Sequence, residues 1–173
     1  MWLSRGSLYK KGNLAVDDNI KKHAVIFGVD PERIIFADWL ETKDHLARTR
    51  LADLALDTRI YNGGTVTSQT LWAGVPVLTL EGGHFASRMA SSILQAVGMP
   101  EMVTHSLQEY ENVAIELAQN PKKLKILKTK LADNIGKYPL FDTVNFTRKL
   151  EQAYKMMWQN YVNGNPPALI EVK

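Results

Sequence analysis

The first two-thirds of the chain alternates short apolar runs with amphipathic stretches. Residues 17–29 (DDNIKKHAVIFGV) predict a helix: Asp17 or Asp18 can cap it, Ile20, Ala24 and Phe27 share a face, and Gly28 closes it. Arg33 to Phe36 (RIIF) predicts a buried strand. Thr42 to Leu51 predicts a helix with Thr42 as cap and Lys43, Asp44, Arg48 and Arg50 facing mostly outward. A strand over Asp53 to Asp57, a helix over Thr65 to Ala73 and a strand over Val75 to Leu80 follow. In HFASRMASSILQAVG, Phe85, Met89, Ile93 and Val97 fall on one helical stripe ending at Gly98, and a short strand is expected near Met102-Val103. This βαβαβα order with short connections predicts an α/β fold, a parallel sheet covered on both faces by helices and wound with right-handed crossovers.

The last third reads as helix alone. Ser106 and Glu109 form a capping-box pattern at the start of a helix over Ser106 to Asn120, and Leu124, Leu127, Leu131 and Ile135 mark a second. From Asp142 a third helix carries Phe146, Leu150, Tyr154, Met157 and Tyr161 at helical spacing, before Gly164 and the stop at Pro166-Pro167. Such an aromatic stripe reads as core packing rather than a cofactor box. The run KKLKILKTK (Lys122 to Lys130) interleaves lysine with apolar residues and reads as the solvated face of an amphipathic helix, with a nucleic-acid or membrane surface as the lesser alternative.

Composition narrows the classes. At 173 residues and 45% hydrophobic, the chain is long enough for one real core. It has no cysteine, which excludes a disulfide scaffold and thiolate metal sites and fits a reducing compartment. No apolar run approaches the ~18 residues of a membrane span, and the start MWLSRGSLYKKGN lacks the apolar core of a secretory signal. That start reads instead as a strand whose preceding elements lie elsewhere. A net charge of +3 suits an anionic ligand but is no concentrated nucleic-acid footprint.

The most informative stretch is DLALDTRIYNGGTVTSQTLWAGVPVLTL, from Asp53 to Leu80. An apolar strand runs into Asn62-Gly63-Gly64-Thr65, which opens onto a helix. Backbone amides and hydroxyls at a helix N-terminus favour an anion such as phosphate, and ligands of open parallel sheets bind at the carboxyl ends of strands. Taken alone, the glycine pair reads first as a tight turn. Asp57, at the end of its strand, stands where it can orient the loop. His84, Ser87 and Arg88 open the next helix, and His23 and His105 read as surface or cap residues. No cluster has metal-ligand spacing.

The segment HLARTRLADLALDTRIYNGGTVTSQTLWAGVPVLTLEGGHFASRMASSIL closely resembles the catalytic region of the O-linked N-acetylglucosaminyltransferases, the SPINDLY-type and bacterial members included. PLFDT (Pro139 to Thr143), LEQAYKMMWQNYVNGNPP (Leu150 to Pro167) and the opening MWLSR resemble the same family in one register across the whole chain. The resemblance implies the C-terminal half of a GT-B glycosyltransferase. Residues 1–105 would form a Rossmann-like nucleotide-sugar-binding domain truncated at its N-terminus, and 106–173 would form helices packing on that domain. The chain would begin at the domain's second strand. The family lysine that contacts the phosphates, its neighbouring glutamine, the N-terminal catalytic half with its histidine, and the helical repeat superhelix would then all lie outside it.

The resemblance also assigns donor-site residues. The segment Trp39 to Arg48 matches the loop that recognises uracil, with Leu40 as the contact and His45 stacked on the nucleoside; without the resemblance His45 is an exposed helix residue with no role. Arg48, three residues on, can hold the loop or reach the phosphates. The family's ribose lysine falls at Thr42, with Lys43 one residue off register. Most members read Asn-Gly-His-Thr-Thr with an aspartate beyond, whereas this chain reads Asn62-Gly63-Gly64-Thr65-Val66 with Gln69 in the aspartate's place. Gly64 and Val66 lose a side chain and a hydroxyl, while Thr65 and the helix amides keep phosphate binding in view. Gln69 can bond a ribose as a neutral group, more weakly than a carboxylate.

The implied function is transfer of N-acetylglucosamine from UDP-GlcNAc to Ser or Thr of a cytoplasmic acceptor protein, with no metal, no cofactor beyond the donor, no nucleic acid and no membrane partner. The chain alone is expected to bind nucleotide without turnover, and it supplies no catalytic residue. One subunit of a split enzyme, and a non-catalytic nucleotide-binding or interaction module, are the alternatives.

Overall fold

The computed structural model describes residues 1–4 and 14–172. Arg5, the last residue of the MWLSR motif, therefore lies outside the described residues. The chain divides into two compact units, Met1–Arg48 and Thr49–Lys173.

In the first unit β1 (Trp2–Ser4) pairs in parallel with β2 (Ile35–Ala37), Trp2 opposite Ile35 and Ser4 opposite Ala37. Helix α1 (Leu14–Ile26) connects them, and α2 (Thr42–Thr49) follows, its last residue falling at the boundary. Three expectations shift here. Helix α1 is already formed at Leu14, so Asp17 and Asp18 sit inside it rather than at its cap. Its C-terminus is a Schellman turn, with the Gly28 amide on Val25 O and the Val29 amide on Ala24 O, and this turns Phe27 out to 80% exposure and off the expected face. Arg33 belongs to a 3₁₀ turn (Pro31–Arg33) whose cap Asp30 accepts from the Glu32 amide. The strand starts at Ile35, which is exposed, while Ile34 just before it and Ala37 at its end are buried, so the strand is only half buried.

The second unit is a parallel sheet in the order β3 (Ala55–Leu56), β4 (Val77–Leu80), β5 (Val103–Thr104), with Leu56 opposite Leu78 and Leu80 opposite Thr104. Helix α3 (Thr65–Trp72) crosses from β3 to β4 and α4 (Met89–Ala96) from β4 to β5. Helices α5 (Leu107–Gln119) and α6 (Pro121–Ile135) pack on the same core. The centre is apolar: Leu71, Leu78, Leu94, Val97, Met99 and Leu131 are all essentially inaccessible. Ser106 caps α5 by accepting from the Glu109 amide at 3.1 Å, and the Glu109 carboxylate returns to the His105 amide at 2.8 Å. Asn120 and Asp142 cap α6 and α7 (Thr143–Val162) in the same way. Where α4 meets α6, Gly98 takes φ +72 and Asn134 Nδ2 donates to Val97 O and Gly98 O, both at 3.0 Å.

Two helical expectations change. The stretch from His84 to Gly98 is a 3₁₀ turn (Phe85–Ser87) followed by α4, because the hydroxyl of buried Ser87 closes the turn onto His84 N and O. Phe85 is consequently 76% exposed and off the stripe that Ile93 and Val97 keep. The α7 stripe is the larger correction. Phe146, Tyr154, Met157 and Tyr161 are 50–75% exposed, and no residue of α7 is buried. Helical spacing showed that these residues share a face; it carried no information on what covers it. The lysine run lies on α6, where Lys123, Lys128 and Lys130 face Glu116, Asp53 and Glu101 at 2.7–2.9 Å. Among the described residues no helix is long and apolar enough to cross a membrane.

These burials predict a sharp contrast. Leu131→Ala lowers the unfolding free energy by roughly 2–5 kcal/mol, whereas Tyr154→Ala shifts it within about 0.5 kcal/mol. Urea denaturation of the two variants followed by circular dichroism measures both.

Candidate functional site

In the second unit the loop after β3 leaves the carboxyl end of the sheet and enters α3, held by a set of hydrogen bonds to its own residues and its neighbours. Thr58 Oγ1 donates to Tyr61 O at 2.5 Å and Asn62 Nδ2 to Thr58 O at 3.0 Å. The Asn62 amide donates to Ala86 O at 2.9 Å, tying the loop to the next turn. Asn62 is fully buried, and its Oδ1 is the one buried side-chain oxygen or nitrogen without a partner among the described residues. Ile60 sits at φ +73, an unfavourable backbone for a β-branched residue that the surrounding hydrogen bonds impose.

Gly63 is held from both sides. Its amide donates to Asp57 Oδ1 at 2.8 Å, and its carbonyl accepts from Thr67 Oγ1, also at 2.8 Å. A Cβ at this position would lie 2.5 Å from Thr67 Oγ1 and 3.3 Å from Asp57 Oδ1, so only glycine fits. The Gly63 amide is therefore already engaged, and it shapes the loop rather than offering a donor. Gly64 is the N-cap of α3 and supplies no side-chain cap. The first-turn amides of Thr65, Val66 and Thr67 consequently have no intrahelical acceptor. Thr65 and Val66 are exposed on that end, while Thr67 is buried and Gln69 half-buried. A Cβ at Gly64 would come within 2.6 Å of Met89 Cε, so the Met89 thioether occupies the place of a side chain at 64. Nothing in the sequence pattern announces that contact.

Ser87 closes the 3₁₀ turn, and Arg88 Nη1 donates to Gly83 O at 3.1 Å. Beyond it a cleft of ≈ 270 Å³ opens at the carboxyl ends of β4 and β5, lined by Arg59, Glu81, His84 and His105 among others. Among the described residues, no group of three His, Asp or Glu is placed to hold a metal.

In the first unit, α2 brings His45 and Arg48 onto one face, both half-buried, while Thr42, Lys43 and Leu40 are exposed. Arg48 Nη1 donates to Asp38 O at 2.7 Å, Nη2 lies 3.5 Å from His45 Nδ1, and the guanidinium sits 5.6 Å from the Trp2 ring centre. Arginine only donates, so a hydrogen bond across that distance has His45 Nδ1 as its acceptor. The bond to Asp38 O ties Arg48 to the loop that precedes its own helix. Thr42 is not the cap of α2 but its first residue, one position after Glu41, whose carbonyl takes the His45 amide.

A strand, a glycine turn and a helix whose leading amides stand unpaired form the arrangement with which parallel α/β proteins hold anions. The family model for glycosyl transferase family 41 matches residues 1–150, and the chain belongs to that family. It is 39% identical over 153 residues, 88% of its length, to the probable UDP-N-acetylglucosamine–peptide N-acetylglucosaminyltransferase of Arabidopsis thaliana. It is 35% identical over 87% of its length to the UDP-N-acetylglucosamine–peptide N-acetylglucosaminyltransferase of Caenorhabditis elegans. A mutant O-GlcNAc transferase of Thermobaculum terrenum superposes on 92% of the chain with a TM-score of 0.83 at 32% identity. The expected fold class, a Rossmann-like α/β part of a GT-B glycosyltransferase, is thereby borne out. The chain spans 16% and 13% of the two relatives' own lengths and 30% of the solved chain.

The loop is also anchored from below. Tyr110 on α5 donates its hydroxyl to Asp57 O at 2.9 Å, and burial, with the nearby Asp57 carboxylate adding to it, pushes the phenol up from 10.0 to about 12. The folded-state value lies above the ordinary one, so the contribution is complete below about pH 10 and is lost as pH climbs through about 12. Urea midpoints measured against pH will accordingly fall more steeply across that window in the wild type than in Tyr110→Phe.

Proposed function

We propose that this chain carries the UDP-sugar donor site of a protein O-N-acetylglucosaminyltransferase. In this reading it works in the cytoplasm, joined to the N-terminal half of the catalytic region and its helical repeat domain, which bring the acceptor protein. One observation carries the reading: the loop from Asp57 to Gly64 delivers α3 with its leading amides unpaired beside the exposed Thr65. A diphosphate is what such a terminus suits, since the amides and helix dipole stabilise the charge that grows on UDP as it leaves. A serine or threonine hydroxyl of the acceptor attacks the anomeric carbon, that bond forms as the carbon–oxygen bond to the diphosphate breaks, UDP leaves with the electron pair, and the hydroxyl proton is released to solvent. No metal or further cofactor enters.

In the first unit Leu40 and His45 take the uracil, with Thr42 and Lys43 near the ribose. Arg48 supports that loop, since its guanidinium already engages Asp38 O. In the second unit Thr65 and the amides of residues 65–67 take the phosphates, Gly63 and Gly64 let the chain turn beneath them, and Gln69 takes a ribose hydroxyl. The glycine at 64, the valine at 66 and the glutamine at 69 favour one other reading, a nucleotide-binding module without turnover.

Calorimetry with UDP on the purified chain tests both. Saturable binding is expected, weakened roughly fivefold by His45→Ala and by Thr65→Ala, since each deletes a contact worth about 1 kcal/mol. Gln69→Asp strengthens it by restoring a charged acceptor. Absence of binding in a folded chain would overturn the donor-site reading. Binding that persists when the catalytic region is completed, without sugar transfer to protein, would favour the silent module.

A further inference from the structure

Asp57 is an unexpected residue to find at an anion site, because its negative charge opposes the ligand the loop is built to hold. Both of its oxygens are committed, Oδ1 to the Gly63 amide at 2.8 Å and Oδ2 to the Thr79 hydroxyl at 2.6 Å. Its backbone carbonyl takes the Tyr110 hydroxyl at 2.9 Å. Thr79 is fully buried on β4, and its own carbonyl accepts from buried Thr104 on β5 at 2.7 Å. The chain of hydrogen bonds therefore runs from the interior of the sheet, through one carboxylate, to the amide of a glycine clamped on its other side by Thr67.

We propose that Asp57 is the positioning residue of the donor site: it fixes Gly63 against Thr79 and Tyr110, so that the following amides are presented to a nucleoside diphosphate in a pre-set geometry. The proposal rests on the donor-site reading above. A loop referenced to β3, β4, β5 and α5 meets its ligand already ordered, so binding loses less conformational entropy than a free glycine loop would. The same bond makes the Gly63 amide unavailable to the ligand, leaving the α3 amides as the donors.

Two readouts on the 173-residue chain test this. The first is the amide proton resonance of Gly63 without ligand. Held on a carboxylate it lies downfield, and it moves upfield in Asp57→Ala, less in Asp57→Asn (which keeps an oxygen acceptor), and partway in Thr79→Val (nearly isosteric). The second is UDP affinity by calorimetry. Asp57→Ala loses about tenfold or more, the range of a charge-assisted hydrogen bond; Asp57→Asn recovers most of that loss; Thr79→Val falls between. A general loss of stability would weaken both substitutions at 57 alike, and rescue by asparagine separates positioning from it. Wild-type and Asp57→Ala chains that bind UDP equally overturn the proposal, as does a Gly63 resonance that ignores Asp57. A wild-type chain that binds no UDP, with the Gly63 resonance still responding, would instead place the failure in the donor-site reading and take the proposal down with it.

Discussion

Strand β4 is the element on which the second unit depends, because it is paired in parallel on both edges and buried on both faces. Val77, Leu78 and Thr79 are almost inaccessible, and the sheet partners, α4 and α5 close around them. A strand in that position cannot shift register without burying polar atoms unpaired or opening the core. Its one buried hydroxyl bearer, Thr79, has its Oγ1 donating to Asp57 and its carbonyl accepting from Thr104, so both of these buried polar groups of the strand are paired. Rigidity at the surface loop begins with this satisfaction of the interior.

From that strand outward the site is a hierarchy of constraints. The sheet fixes Asp57, Asp57 fixes Gly63, Thr67 closes over the Gly63 carbonyl, and α3 then starts with its amides unpaired. The strained backbone at Ile60 and the buried Asn62 belong to the same loop, and both are tolerated because neighbouring hydrogen bonds over-determine it. The first unit uses a comparable device at smaller scale, with the Arg48 guanidinium holding the Asp38 carbonyl and placing its own helix face, His45 included.

Much of this was legible in the residues. The strand–turn–helix from Asp53 to Leu80 could be read because apolar runs and glycines stand in order, and the helix and both strands lie within a residue or two of where that pattern puts them. Ser106, Asn120 and Asp142 act as caps because short polar side chains before apolar repeats have few other uses. What could not be read was partnership at a distance. No spacing links Asp57 to Thr79, 22 residues on, or to Tyr110, 53 residues on. The packing of Met89 against Gly64 is equally silent. The α7 stripe failed for the converse reason: periodicity gave a face, and burial requires a second surface that the described residues do not provide. Ser87 broke the expected long helix because its hydroxyl closes on the backbone of His84, a local competition that helical spacing ignores.

The joint of α4 and α6 has a chemical vulnerability of its own. The side-chain nitrogen of Asn134 donates there to two carbonyl oxygens, and a Cβ at Gly98 would run into the ring of Tyr138. Conversion of that one amide to a carboxylate would set an acceptor against two acceptors in a buried place. Which of two atoms an amide carries, nitrogen or oxygen, is in that sense what decides whether these two helices can close on each other.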